Sequence, residues 1–73
     1  MATSAIEVRG GAIYRVHGPL SFRVLEGEVF FLGRALGEGE RAFVPKDRIY
    51  ALKALVPSRL EISGDGRVEE ARP

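Results

Sequence analysis

The stretch LSFRVLEGEVFFLGRALGEGERAFVP, residues 20–45, decides the fold of this 73-residue chain. It contains three apolar, β-rich runs separated by turns that bear glycine, and the first run alternates from Leu20 to Leu25. Alternation with a period of two is typical of a strand that buries one face. The stretch therefore predicts an all-β fold, and the rest of the chain is expected to pack around it.

The first two of these runs are predicted to form a hairpin. Glu26-Gly27 separates Leu20–Leu25 from the run at residues 28–33, which Gly33 is expected to end. A glycine between two β-rich runs supplies the positive φ that a tight hairpin turn needs. We therefore expect these two strands to be antiparallel neighbours in one sheet.

Further short β-rich runs flank this stretch. The run at residues 49–56, IYALKALV, is ambiguous because Ala, Leu and Lys favour helix, but its apolar residues alternate, which favours a strand. Short strands with turns between them predict a small antiparallel β-sandwich or a jelly-roll-like barrel. One domain is expected over residues 1–73, with loose ends at 1–4 and 69–73. The other predicted strands are residues 6–9, 12–17 and 42–44, with shorter runs around Leu60, Ile62 and Val68.

The run at residues 28–33 is apolar on both of its faces. If Val29 and Phe31 face the core, then Phe30 and Leu32 face outward, because successive side chains of a strand alternate. Large apolar patches are uncommon on monomers and mark interfaces, so we predict self-association; cover by the N-terminal strand or the tail is the alternative. The predicted core comprises Phe22, Val24, Val29, Phe31, Leu52, Ala54, Leu60 and Ile62, with Tyr50 and Val56 also facing inward. The predicted interface comprises Leu25, Phe30, Leu32, Ile49 and Leu55.

Composition narrows the classes of function. The chain has 11 basic and 10 acidic residues, and this balance does not by itself indicate a nucleic-acid binder. The absence of cysteine excludes disulfides and thiolate chemistry. No signal peptide and no run near the ~20 apolar residues of a membrane span occur, so a soluble cytoplasmic protein is expected. Neither Asn nor Gln occurs, which fits a heat-adapted source, although genome base composition could also favour arginine.

No catalytic, cofactor-binding or metal site is predicted. His17 is the only histidine, and neither other nitrogen or sulfur ligands nor an orienting partner can be identified for it. The glycines at 33, 37 and 39 lack the Lys-Ser/Thr signature of a phosphate loop and fit turns better. The chain is therefore expected not to be an enzyme and to bind no cofactor or metal.

Arginine and tyrosine side chains form the alternative candidate site. Arginine between exposed aromatic rings can bind single-stranded nucleic acid by charge and stacking. A mixed surface of Arg–Glu pairs explains the same residues and is favoured by the near-neutral net charge. Any nucleic-acid binding is therefore expected to be weak. The residues concerned are Arg15, Arg23, Arg48, Tyr14 and Tyr50.

The region from Gly18 to Gly64 resembles the N-terminal β-sandwich domain of archaeal polynucleotide 5′-hydroxyl kinases, relatives of the kinase subunit of RNA-cleavage factors. The resemblance rests on Gly18-Pro19, the Leu25-Glu26-Gly27 turn, Gly33, the Gly39-Glu40 turn and Ser58-Arg59-Leu60-Glu61. In that family the domain precedes a P-loop kinase core, and these residues match only the accessory domain. The resemblance implies an accessory β-sandwich and no kinase activity.

A second, cupin-like resemblance lies in GEGERAFVPKDRIYALKAL, residues 37–55, which is similar to the second half of a cupin barrel. The metal-binding histidines of that family have no counterpart here, and Lys46-Asp47-Arg48 stands where a glycine and a histidine are expected. Three functions follow in order of preference. They are a non-catalytic interaction module acting as a homo-oligomer or as a subunit of a larger complex, a nucleic-acid-binding domain, and a metal-free cupin-like binder of small molecules.

Overall fold

The computed structural model describes residues 3–71, which fold into two antiparallel sheets packed against each other. Within this range the chain forms strands and no helix, which confirms the predicted small all-β sandwich. Alternating apolar residues give each sheet one buried face, and the two buried faces form a single core. The strands are β1 (Thr3–Val8), β2 (Ile13–His17), β3 (Leu20–Glu26), β4 (Val29–Phe31), β5 (Arg34–Leu36), β6 (Arg41–Val44), β7 (Ile49–Ala54), β8 (Ser58–Gly64) and β9 (Arg67–Glu70).

The chain passes back and forth between the two sheets. One sheet has four strands in the order β1-β8-β3-β6, and the other has five in the order β5-β4-β7-β2-β9. Successive strands therefore lie in different sheets at every connection except β4–β5. Most contacts between paired strands are consequently distant in sequence, and the segment at residues 49–54 is confirmed as a strand, β7.

The predicted hairpin between Leu20–Leu25 and residues 28–33 is wrong. β3 pairs with β6 and β8, whereas β4 pairs with β5 and β7. Gly27 does adopt a positive φ of 92°, but its turn carries the chain from one sheet to the other. A Cβ at Gly27 would lie 2.2 Å from Ser58 Oγ, so this crossing is packed tightly against the start of β8. The two runs meet face to face across the core instead of side by side.

The hairpin within the five-stranded sheet lies one turn later, between β4 and β5. Leu32 and Gly33 have φ values of 49° and 83°, and positive φ at both central residues defines the type I′ turn favoured in two-residue hairpins. β4 therefore ends at Phe31, and Gly33 belongs to the turn. The short strand β5 that follows was not predicted, because Arg34-Ala35-Leu36 contains no β-branched or aromatic residue.

The core has the composition that the alternation predicted. All eight residues of the predicted core are buried, and they are joined by buried residues of β1, β2, β3, β5 and β6. Tyr50 also faces inward and is half-buried. Val56, by contrast, is 43% exposed, because β7 ends at Ala54 and the next three residues form a turn.

Both chain ends are more ordered than the sequence predicted. β1 includes Thr3 and Ser4 and pairs with β8, and β9 includes Glu69 and Glu70 and pairs with β2. An ion pair between Arg9 and Glu70 holds β9 to the β1–β2 connection. The rest of the predicted loose ends, residues 1, 2, 72 and 73, lies outside the described residues.

Candidate functional site

The outward side chains of the five-stranded sheet, here called the five-stranded face, include an apolar patch. Phe30 is 44% exposed, Leu32 61%, Ile13 47% and Ile49 59%. Phe30 and Ile13 lie on either side of Lys53 in one cross-strand row, and Ala51 lies beside Arg15 in the next row. A shallow depression runs between these rows and is lined by Ile13, Phe30, Leu32, Ala51, Leu52 and Lys53.

The opposite edge of the five-stranded face, along β2 and β9, is charged. His17 Nε2 donates to Glu69 Oε1 at 2.9 Å, and Arg67 Nε lies 3.8 Å from Glu69 Oε2. The hydrogen bond from His17 lowers the pKa of Glu69, and the charges of Arg67 and Arg15 lower it further. The sequence did not identify a partner for His17, because Glu69 lies 52 positions further along the chain. The pair joins β2 to β9 at the surface.

The structure brings three of the five predicted interface residues together. Phe30, Leu32 and Ile49 lie on the five-stranded face. Leu55 is 41% exposed in the turn after β7, and Leu25 is half-buried on β3 in the other sheet. Leu25 was grouped with the others because β3 and β4 were expected to be neighbours in one sheet.

The sequence analysis missed Ile13 as a member of this patch, although its alternation with Tyr14 was visible. The predicted alternative, in which the N-terminal strand or the tail covers Phe30 and Leu32, does not hold for the described residues. β1 is the edge strand of the other sheet, and β9 lies beyond β2 at the far edge from β4.

The predicted nucleic-acid residues are not assembled on one surface. Tyr14 is 7% exposed, and its hydroxyl accepts a hydrogen bond of 2.8 Å from the backbone N–H of Arg9. Tyr50 faces the core, with its ring centroid 6.0 Å from that of Phe31. Neither tyrosine is therefore a platform for stacking a base. Tyr14 precedes Arg15 on one strand, so their side chains must point to opposite faces.

The arginines of the predicted set are also dispersed. Arg15 lies on the five-stranded face, Arg23 lies on the outer side of β3 in the other sheet, and Arg48 is exposed in the loop before β7. Arg15 and Arg23 are thus on opposite sides of the sandwich.

The outward side chains of the four-stranded sheet, here called the four-stranded face, are mostly polar. Arg23 lies opposite Arg41 on one side and opposite Glu61 on the other, with 3.3 Å between Arg23 Nη2 and Glu61 Oε1. In the next row Phe43 is 61% exposed and lies opposite Ser21. Sequence analysis did not combine Arg41 with Phe43, although their spacing of two places them on one side of a strand.

Residues 3–71 contain no group of three or more His, Asp or Glu side chains that is placed to hold a metal ion. Over the same residues there is no helix of the length and apolar character needed to cross a membrane. Comparisons of the chain with protein-family models, with curated proteins and with solved structures find no match. Function is therefore argued here from the two outer faces of the sandwich.

Proposed function

We propose that this chain is a non-catalytic interaction module that forms a two-fold homodimer through its five-stranded face. Leu32 is the observation that carries the proposal. It is 61% exposed and has a φ of 49°, a left-handed conformation that costs most L-residues about 1–2 kcal/mol. Asn, Asp and Gly are the usual residues at such a turn position. A leucine there adds little to the stability of a lone subunit, whereas at an interface its side chain would be buried.

The size of the face supports a second copy of the chain as the occupant. The two longer dimensions of the molecule are 28 and 27 Å, so one broad face offers about 750 Å², close to the roughly 800 Å² that each partner buries in a standard interface. A two-fold dimer is the commonest oligomer and needs one self-complementary patch.

The pattern of charges on the same face also supports a symmetric partner. Phe30, Leu32 and Ile13 form an apolar group, and Arg15, Glu69 and Arg67 supply both signs of charge along one edge. Interfaces commonly have such an apolar centre and a polar rim. Since the rim holds both signs, a copy related by a two-fold axis can meet it without a net repulsion.

The small size of the domain favours association as well. A chain of this length buries only roughly 60% of its unfolded surface, so its own core is thin. Covering the apolar patch would add stabilisation of roughly 25 cal/mol per Å² of apolar surface removed from water.

The strand order supports a jelly-roll assignment for this module. The first eight strands divide equally between two sheets, with a change of sheet at each connection except β4–β5, and β9 extends one edge. This order agrees with the β-sandwich that the kinase-family resemblance implies. We therefore extend the proposal to an accessory role in a larger cytoplasmic assembly, with the homodimer as the building unit.

Sedimentation of the purified chain at high micromolar concentration tests the proposal. The wild type should sediment as a dimer, and Phe30→Glu should sediment as a monomer with an unchanged far-ultraviolet circular dichroism spectrum. Phe43→Glu is the matched control, because Phe43 is equally accessible but lies on the opposite side of the sandwich. It should remain a dimer. A monomeric wild type at this concentration would overturn the proposal.

A further inference from the structure

Two arginines lie directly opposite each other on the four-stranded face. Arg23 on β3 and Arg41 on the edge strand β6 are register partners, and such residues have Cβ atoms about 4.5–5.5 Å apart, where like charges repel. Glu61 pairs with Arg23 at 3.3 Å, which compensates one guanidinium. Among residues 3–71 no carboxylate lies within ion-pair distance of Arg41. The row therefore retains one positive charge that the fold does not neutralise.

Two hydroxyl groups adjoin this charge. Ser21 Oγ and Ser63 Oγ are 2.8 Å apart, and both residues line the same depression as Arg23, Arg41 and Glu61. One hydroxyl proton is used in the bond between the two serines, so the proton of the other hydroxyl is left to donate elsewhere. Guanidinium and hydroxyl donors that converge on one depression suit the oxygens of a phosphate.

An exposed aromatic ring stands next to the depression. Phe43 lies on the same side of β6 as Arg41, and two residues of strand span about 6.6 Å. Its exposure of 61% leaves the ring accessible, and β6 is an edge strand, so no further strand covers this side. An aromatic ring one row from a phosphate-binding arginine is the arrangement on which a nucleobase stacks.

We propose that the four-stranded face binds a nucleotide, with its phosphate between Arg23 and Arg41 and its base on Phe43. The nucleotide is either free or one unit of a single-stranded nucleic acid, and both present the same phosphate and base. This site goes beyond the proposed dimer. It lies on the other side of the sandwich, so one function can fail while the other holds.

The first test measures the fluorescence anisotropy of a labelled single-stranded RNA octamer at 50 mM salt. Wild type should bind, and Arg41→Gln should weaken binding at least fivefold. Arg15→Gln is the matched control on the five-stranded face and should leave the affinity unchanged. Two phosphate contacts give a salt slope of about −1.4, so affinity should fall about sevenfold between 50 and 200 mM salt. Equal losses in both variants, or no binding by wild type, would overturn the proposal.

Folding of Arg41→Gln is checked by its melting temperature, which should equal or exceed that of wild type because the variant removes the repulsion between Arg23 and Arg41. A loss of binding in this variant then reports the site itself.

A second variant tests the base. Phe43→Thr keeps a residue that favours strands and should weaken octamer binding by about fivefold or more, since stacking of one base is worth ~1–3 kcal/mol. Competition with a mononucleotide and with inorganic phosphate separates the sources. Displacement by the mononucleotide at equal strength per phosphate indicates a free nucleotide, and tighter binding of the octamer indicates a nucleic-acid strand. Equal competition by inorganic phosphate, with no effect of Phe43→Thr, would contradict the nucleotide proposal.

Discussion

Among individual residues, Phe31 makes the main aromatic contact between the two sheets. Its ring lies edge-on to Phe22 with centroids 5.1 Å apart, and it is 3% exposed. Phe31→Ala should lower the free energy of unfolding by ~3–5 kcal/mol, because a cavity remains where the ring was. That loss is a large part of the roughly 4–11 kcal/mol expected for a domain of this length. Urea denaturation measures it, with the exposed Phe43→Ala as the control, and equal losses in both would contradict it.

Glu69 gives the fold a dependence on acid. Its hydrogen bond from His17 and the nearby Arg67 lower its pKa in the folded state, so the ionised carboxylate stabilises the fold above its ordinary value of 4.5. This contribution is lost as the pH falls through the lower folded value. Glu69→Gln should therefore melt below wild type at pH 7, and the difference should shrink towards pH 3. Thermal melts over this range measure it, and a difference independent of pH would count against this role.

Residue-level patterns in the sequence were sufficient to predict the core and insufficient to place the surface sites. Alternation identified Phe22, Phe31 and Leu52 as buried because burial depends on the local period alone. The same rule excludes Tyr14 and Arg15 from one face, and applying it would have removed that pair from the predicted nucleic-acid surface. The Arg23–Arg41 pair was beyond reach, because it depends on which strands are neighbours.

At the scale of elements, most strands could be predicted and their partners could not. A glycine turn between two β-rich runs predicts a hairpin because local pairing has the smallest loop-closure cost. At Gly27 a distant contact overrides this preference. Ser58 Oγ accepts a hydrogen bond of 3.0 Å from the backbone N–H of Glu28 and donates one of 2.7 Å to the carbonyl of Val56. These bonds hold the crossing between the sheets against the start of β8.

For the whole molecule, the two outer faces differ in chemistry and can act together. The five-stranded face offers apolar side chains around Phe30 and Leu32, and the four-stranded face offers Arg41 beside Phe43. A dimer formed through the first face would leave the second face of each copy pointing away from the partner. Two nucleotide sites on opposite outer sides of one dimer would raise the avidity for a nucleic-acid strand only if the strand could reach both.

Leu32→Asn separates the stability of the subunit from that of the dimer. Asn-Gly suits the positive φ values of this turn, so the variant should stabilise the lone subunit by about 1 kcal/mol. The variant also removes a leucine side chain whose full burial is worth roughly 1.5–3 kcal/mol in each copy, so the dimer should weaken.

Melting temperatures measured over a hundredfold range of concentration distinguish these two effects. Wild type should melt at higher temperature as concentration rises, because dimer formation stabilises the folded state by mass action. Leu32→Asn should melt at a temperature nearly independent of concentration, and above wild type at the dilute end. Asp47→Asn is the control, since Asp47 has a φ of 66° in another turn and is already suited to it. If Leu32→Asn melted lower than wild type when dilute and kept the dependence on concentration, Leu32 would be a residue of the fold and not of an interface.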